Sequence, residues 1–267
     1  MPQTGRFRYI EAPPDLSGDR ARGTLVLLHA FPLNARMWEP QLVLARDGWR
    51  VIAPQMRGVD GATDDPPATS IDDYAADLVD LLDALHVEDV VVGGLSMGGY
   101  VAFALLRLAP NYVRGLVLAD TRAQPDSSEG VEDRKRMLTL LAEKGAAAIV
   151  DETVPKLLGE TTRRTRPDVE RTVRSLALAN PAEAIAGSLR ALMSRPDSTV
   201  LLSGIRAPTL VIVGEEDSLT PPPLAQAMHQ RIAGSELVVI PSAGHLANLE
   251  QPAAFNEALA SFLGHRV

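Results

Sequence analysis

The feature that most constrains this chain is a set of short, almost unbroken apolar runs separated by longer stretches of helical pattern. Residues 24–30 (TLVLLHA), 51–54 (VIAP), 90–94 (VVVGG), 115–120 (GLVLAD), 209–214 (TLVIVG) and 236–241 (ELVVIP) are rich in Val, Ile and Leu. Each has strand length and reads as a strand buried on both faces, as in a parallel sheet covered by helices. Between them, Ile71, Ala75, Leu78, Val79, Leu82 and Leu85 fall on one helical stripe. Ser70 and Asp73 form a capping-box signature at its start, with Asp in place of Glu. Further helices are expected over 97–109, stopped by Pro110, and over 222–232 and 252–263. Strand–helix repetition of this kind predicts an α/β fold with a doubly wound, mostly parallel sheet. Nearer the N-terminus, Arg6–Ile10 is the one clear strand candidate.

One stretch breaks the rhythm. Residues 122–195 hold no strand-like run, and they carry 13 Lys and Arg against 11 Asp and Glu in a chain of net charge −8. We read them as a helical cap inserted into an α/β core made of residues 1–121 and 196–267. The overall negative charge argues against nucleic acid or an anionic membrane as partner, since both call for a basic face. The absence of cysteine excludes disulfides, thiolate metal sites and a cysteine nucleophile. The first residues, MPQTGRFRYIEAPPD, lack the apolar centre of a signal peptide, and no apolar run approaches bilayer length. A cytoplasmic protein is the expectation.

The chemistry is concentrated at Gly94-Leu95-Ser96-Met97-Gly98-Gly99, which follows the run Asp89–Gly93 and opens a helix. A G-x-S-x-G pattern says little alone. Between a strand and a helix, it places a serine at the tip of a strained turn, with its hydroxyl exposed and small residues on either side to avoid a clash. The helix N-terminus behind it favours developing negative charge. A glycine-rich turn that binds a phosphate or nothing is the plainer alternative. A dinucleotide site is excluded, because G-x-G-x-x-G is absent here.

The order and wording of the motifs resemble the α/β-hydrolase superfamily, and within it the small esterase and lactonase group. The similarity spans about residues 24–263. It is strongest at 29–41 (HAFPLNARMWEPQ), 94–100 (GLSMGGY), 214–221 (GEEDSLTP) and 243–252 (AGHLANLEQP), and weak in the insertion. This resemblance implies a Ser-Asp-His triad in that chain order, with Ser96 as nucleophile, Asp217 as orienting acid and His245 as base. Asp120, at the end of the preceding strand, is a second candidate for the acid. It also implies eight strands, one more than the sequence offers. Haloalkane dehalogenases and epoxide hydrolases are disfavoured, since they have aspartate where Ser96 stands.

The remaining histidines have plainer readings. His86, His229 and His265 read as surface residues, and His29 as a brace for the loop after the first strong strand. Acyl transfer passes through an oxyanion that needs two backbone donors, for which Met97 and Phe31 are the candidates. Pro32 has no N–H and cannot serve. Ala30 and Gln55 depart from the family's usual glycine and aspartate, and Arg57 reads as a loop tie. Glu215 and Glu216 read as solvated turn charges. For the substrate pocket, Phe31, Trp38, Met97, Leu219 and Leu246 are the apolar candidates. Arg134, Lys135 and Arg136 would be the contacts of an anionic substrate, against the simpler reading of a self-paired helix face. The implied reaction, hydrolysis of a small ester or lactone through an acyl-enzyme, requires no metal or cofactor. Perhydrolysis, C–C hydrolysis, lyase chemistry and a slow-turnover ligand receptor remain open, and the oligomeric state is not encoded.

Overall fold

The computed structural model describes residues 1–16, 21–59 and 66–267. Its strands are β1 (Gln3–Thr4), β2 (Phe7–Ala12), β3 (Gly23–Leu28), β4 (Trp49–Pro54), β5 (Val90–Leu95), β6 (Val113–Ala119), β7 (Thr209–Gly214) and β8 (Glu236–Ile240). They form one sheet in the order β1-β2-β4-β3-β5-β6-β7-β8, with β1 and β2 antiparallel and every pair from β4 to β8 parallel. The expected fold class is the observed one. The strand missing from the sequence reading is β1, two residues long, too short to leave a hydrophobic period.

Side-chain alternation along the central strands explains their continuous hydrophobicity. Val26 and Leu28, Val90 and Val92, Leu116 and Leu118, and Val211 and Val213 face one apolar layer. Leu25 and Leu27, Val91 and Leu95, Val117 and Ala119, and Leu210 and Ile212 face the other. Helices α1 (Ile71–Ala84), α2 (Met97–Leu108) and α7 (Pro222–Arg231) cover the first layer. A run of 3-10 turns (Ala35–Asp47), α8 (Ala247–Glu250) and α9 (Pro252–His265) cover the second. Burying a side chain such as Phe255 or Leu259 there contributes roughly 1.5–3 kcal/mol each. The capping box of α1 forms as its sequence predicts. Strand β8 departs from expectation: it lies at the sheet edge, and its Val239 is 44% exposed.

Residues 122–195 contain helices only: α3 (Ser128–Leu157), broken at Gly145 where φ is 76°, α4 (Glu160–Thr165), α5 (Pro167–Leu178) and α6 (Ala182–Met193). Helix α3 packs on α5 and α6, and α5 packs on the 3-10 segment. Just past α5, the Asn180 amide donates to the Leu33 carbonyl at 3.1 Å, and Asn34 donates back to the Leu176 carbonyl at 2.9 Å. No helix among the described residues is long and apolar enough to cross a membrane.

Chain order reverses around β3: β4 lies on one side of it and β5 on the other. Loops leaving the carboxyl ends of β3 and β5 therefore diverge and leave a crevice, where open α/β sheets bind their ligands.

Candidate active site

Ser96 stands in that crevice, between β5 and α2, with φ 54° and ψ −113°. Only an over-determined turn holds a serine at positive φ. Two approaches show what determines it. A Cβ at Gly94 would lie 2.1 Å from the Gly98 carbonyl oxygen, and one at Gly98 would lie 2.1 Å from that of Leu28. The chain can thus turn from strand to helix against β3 only with glycine at both places. The Ser96 N–H donates to the Ala119 carbonyl at 3.0 Å, and the Thr121 hydroxyl donates to the Ser96 carbonyl at 2.8 Å.

The other two polar side chains arrive from the ends of β7 and β8. His245 Nε2 lies 2.8 Å from Ser96 Oγ, and its Nδ1 lies 2.8 Å from Asp217 Oδ2. Asp217 accepts further bonds from the N–H groups of Leu219 and Thr220 and from the Thr220 hydroxyl, at 2.8, 3.0 and 2.6 Å. Burial pushes its carboxyl upward, but the charge of His245 and the bonds from His245 and Thr220 outweigh it, and the result is about 2. Asp217 is thus a carboxylate at any ordinary pH.

Asp120 lies close by in a different role. It is fully buried, and its two oxygens accept the N–H groups of Gly214 at 2.7 Å and Ala247 at 3.3 Å. Burial, reinforced by the charge of Asp217, raises its pKa well above the carboxylate range. It ties β7 to the His245 loop, and Asp217 lies against the ring.

The oxyanion candidates sit on either side of Ser96. Met97 is the first residue of α2, so its N–H has no acceptor within the helix. Phe31 follows β3 and lines the cavity over Ser96. His29 braces this loop: it is fully buried, it accepts the Met56 N–H at Nε2 (3.2 Å), and Nδ1 faces the Ala30 carbonyl. Burial lowers its pKa to about 4, so it stays neutral. Gln55 accepts the Ala35 N–H at 2.6 Å, and Arg57 pairs with Asp77 on α1, each a structural tie. His86 and His265 are exposed, and His229 bonds Ser235.

A cavity of about 320 Å³ opens on Ser96 and His245. Phe31 and Leu219 line it. Three apolar candidates do not. Trp38, within the 3-10 segment, is buried against α9 with its ring 6.0 Å from that of Phe255. Leu246 follows His245 in sequence, but its side chain turns into the second apolar layer. The Met97 side chain is buried in the first apolar layer. Proximity in sequence to a reacting residue does not fix which way the neighbour's side chain points. The walls come instead from Tyr100 on α2 and from the insertion, with Met137, Leu157 and Leu192 apolar and Arg122, Arg134 and Lys156 cationic. No motif marks these residues, which is why sequence reading passed over most of them. Lys135 and Arg136 lie outside the cavity, paired with Glu132 and Glu152 and with Asp133, which lies at the cavity's rim. Glu216 is no solvated charge either: it accepts the Thr161 N–H at 2.8 Å. Among the described residues, no group of three or more His, Asp or Glu could hold a metal ion.

Fold and crevice together define a class, and the comparison with known families agrees: residues 23–252 match the alpha/beta hydrolase fold, and the chain belongs to that family. Within it, the chain is 28% identical to 3-oxoadipate enol-lactonase 1 of Acinetobacter baylyi over 249 residues, which cover 93% of this chain and 91% of that one. A thermophilic esterase from Thermogutta terrifontis, solved bound to malate, superposes with a TM-score of 0.90 at 37% identity, over 97% of this chain and 93% of that one. A bromoperoxidase from Bacillus anthracis shares the fold at 23% identity and a TM-score of 0.83, over 97% and 95% of the two chains.

Proposed function

We propose that the protein is a serine hydrolase that cleaves a carboxylic ester or lactone through an acyl-enzyme. The observation that carries this is the unbroken chain of bonds Ser96 Oγ to His245 Nε2 to Asp217 Oδ2, each 2.8 Å long, at the floor of a cavity. His245 takes the Ser96 proton as Oγ attacks the carbonyl carbon. Asp217 fixes the tautomer with Nδ1–H toward itself and stabilises the imidazolium. The N–H groups of Met97 and Phe31 receive the oxyanion, and His245 returns the proton to the leaving oxygen. Water then attacks the acyl-enzyme with His245 as base, and Ser96 is released. Relatives named esterase and enol-lactonase support this substrate class. The insertion acts as a cap domain over the core.

Short-chain p-nitrophenyl esters test the reading. Hydrolysis by wild type that is lost in Ser96→Ala is the expected result. Perhydrolase, C–C hydrolase, lyase and receptor roles use the same constellation. Failure on every ester and lactone, together with turnover or tight binding of another ligand class, would favour one of those instead.

A second reading concerns the charge of the substrate. Asp126 receives Arg122 at 2.9 Å, Arg134 at 2.5 Å and Arg195 at 2.8 Å. Three guanidiniums share one carboxylate, and with Lys156 and Asp133 also at the cavity this wall keeps an excess of positive charge. The Arg122 Nε–H is buried with no hydrogen-bond partner among the described residues. A carboxylated ester would neutralise that excess. It should then show a lower KM than its neutral counterpart, and equal KM values would remove the idea.

A further inference from the structure

The insertion also reaches the reaction centre from behind, through the loop that carries His245. Glu250, in α8, is fully buried. Its Oε1 accepts the N–H groups of Gly244 at 2.9 Å and Leu246 at 3.1 Å, the residues on either side of His245. Its Oε2 accepts the Gly159 N–H at 2.8 Å, in the turn between α3 and α4. A buried acidic side chain needs partners for its oxygens, and three N–H donors from two separate segments supply them here. The two segments also meet directly. The His245 N–H donates to the Leu157 carbonyl at 3.0 Å, and a Cβ at Gly244 would lie 2.2 Å from the Gly159 nitrogen. Next to Asp217, Glu216 grips Thr161 at the start of α4. Residues 157–161 thus hold both loops that deliver His245 and Asp217.

We infer that Glu250 is a positioning residue for the proton transfer, locking the His245 backbone to residues 157–159 of the insertion so that the ring faces Ser96. Glu250 is not among the residues lining the cavity, so it acts through His245 and not on substrate. The inference rests on the serine-hydrolase reading. A misplacement of about 1 Å in a reacting group can cost ~10²-fold in rate. Glu250→Ala removes all three bonds. Glu250→Gln keeps the volume and one oxygen, so it can satisfy the His245 loop or Gly159 but not both.

The test is the phosphonylation of Ser96 by a fluorophosphonate, in which Oγ attacks phosphorus, fluoride leaves and His245 takes the proton. It is read as a limiting rate and a half-saturation concentration, beside the downfield proton resonance of His245 Nδ1–H. In folded variants we expect the limiting rate to fall ~10²-fold for Glu250→Ala and about tenfold for Glu250→Gln. Half-saturation should stay unchanged, and the resonance should shift or broaden. A wild-type limiting rate with an unmoved resonance overturns the inference. So does a rise in half-saturation alone, which would make Glu250 part of the pocket. Where Glu250→Ala does not fold, Glu250→Gln decides. A wild type that is not labelled at Ser96 overturns the serine-hydrolase reading instead, and the resonance in Glu250→Gln still reports on the ring.

Discussion

Ser96, Asp217 and His245 stand on the carboxyl ends of β5, β7 and β8, whereas much of the cavity above them is walled by residues of the insertion. The two regions are built under different constraints. At the strand ends, backbone groups approach so closely that the residue types are dictated, as with Gly94 and Gly98 beneath Ser96. In the insertion, amphipathic helices need only an apolar stripe and a tolerable charge balance, so many sequences would serve. Under the proposed function, the first region would set the reaction type, and the second, together with Phe31 and Leu219, the choice of substrate. Substitutions in the first should therefore act on kcat, and those in the cavity wall of the second, away from residues 157–161, on KM.

The largest expected effect is that of Ser96→Ala, which should lower kcat on an ester ~10⁴-fold or more in steady-state assays. Asp217→Asn should come close to this, at ~10⁴-fold, because the ring would lose its tautomer. Asp120→Asn should cost little, because that side chain bonds backbone N–H groups and leaves the ring to Asp217. The reverse order of the two aspartates would move the acid to Asp120 and break the comparison at its root.

A smaller effect concerns stability in the core. The His29 imidazole takes a proton near 6.5 in the unfolded chain and only near 4 when folded, because burial disfavours the cation. Between those values the unfolded state binds more protons, so stability should fall as pH drops from 6.5 to 4 and level off below. The size is about 3 kcal/mol. Thermal unfolding of wild type and His29→Gln, compared across that window, checks it. Parallel pH curves for the two proteins would contradict the assigned state of His29.

The smallest effect belongs to the insertion. Arg122→Gln should raise KM for a carboxylated ester about tenfold, through loss of one charge-assisted bond, and leave kcat and the neutral ester nearly unchanged. A fall in kcat for both esters would mean that this wall also shapes the reaction, and the division between regions would blur.

The unequal constraints also explain what could be read without a structure. The parallel strands are visible because both of their faces are buried, so Val26 and Leu27 are equally apolar though they face opposite layers. The same signal appears in β8, an edge strand, and it overstates that strand's burial. The positions of Ser96, Asp217 and His245 follow from turns after strands, which leave fixed residue types behind. Side-chain direction leaves no such mark, so Trp38 and Leu246 read as pocket residues and are core. Tyr100, Arg122, Met137 and Leu192 gather at the cavity only through packing between distant helices. Glu250 lies within a segment that resembles the family, yet its bond to Gly159 spans 91 positions and has no local signature.

The central claim is that Ser96 carries the acyl group. Its most direct test is to mix the protein with p-nitrophenyl acetate, quench in acid within the first turnovers, and map the adduct by peptide mass spectrometry. The account predicts one acetyl group on Ser96, absent from Ser96→Ala, with a burst of p-nitrophenol matching the enzyme concentration. Turnover that persists in Ser96→Ala, or an acetyl group found on another residue, would contradict it.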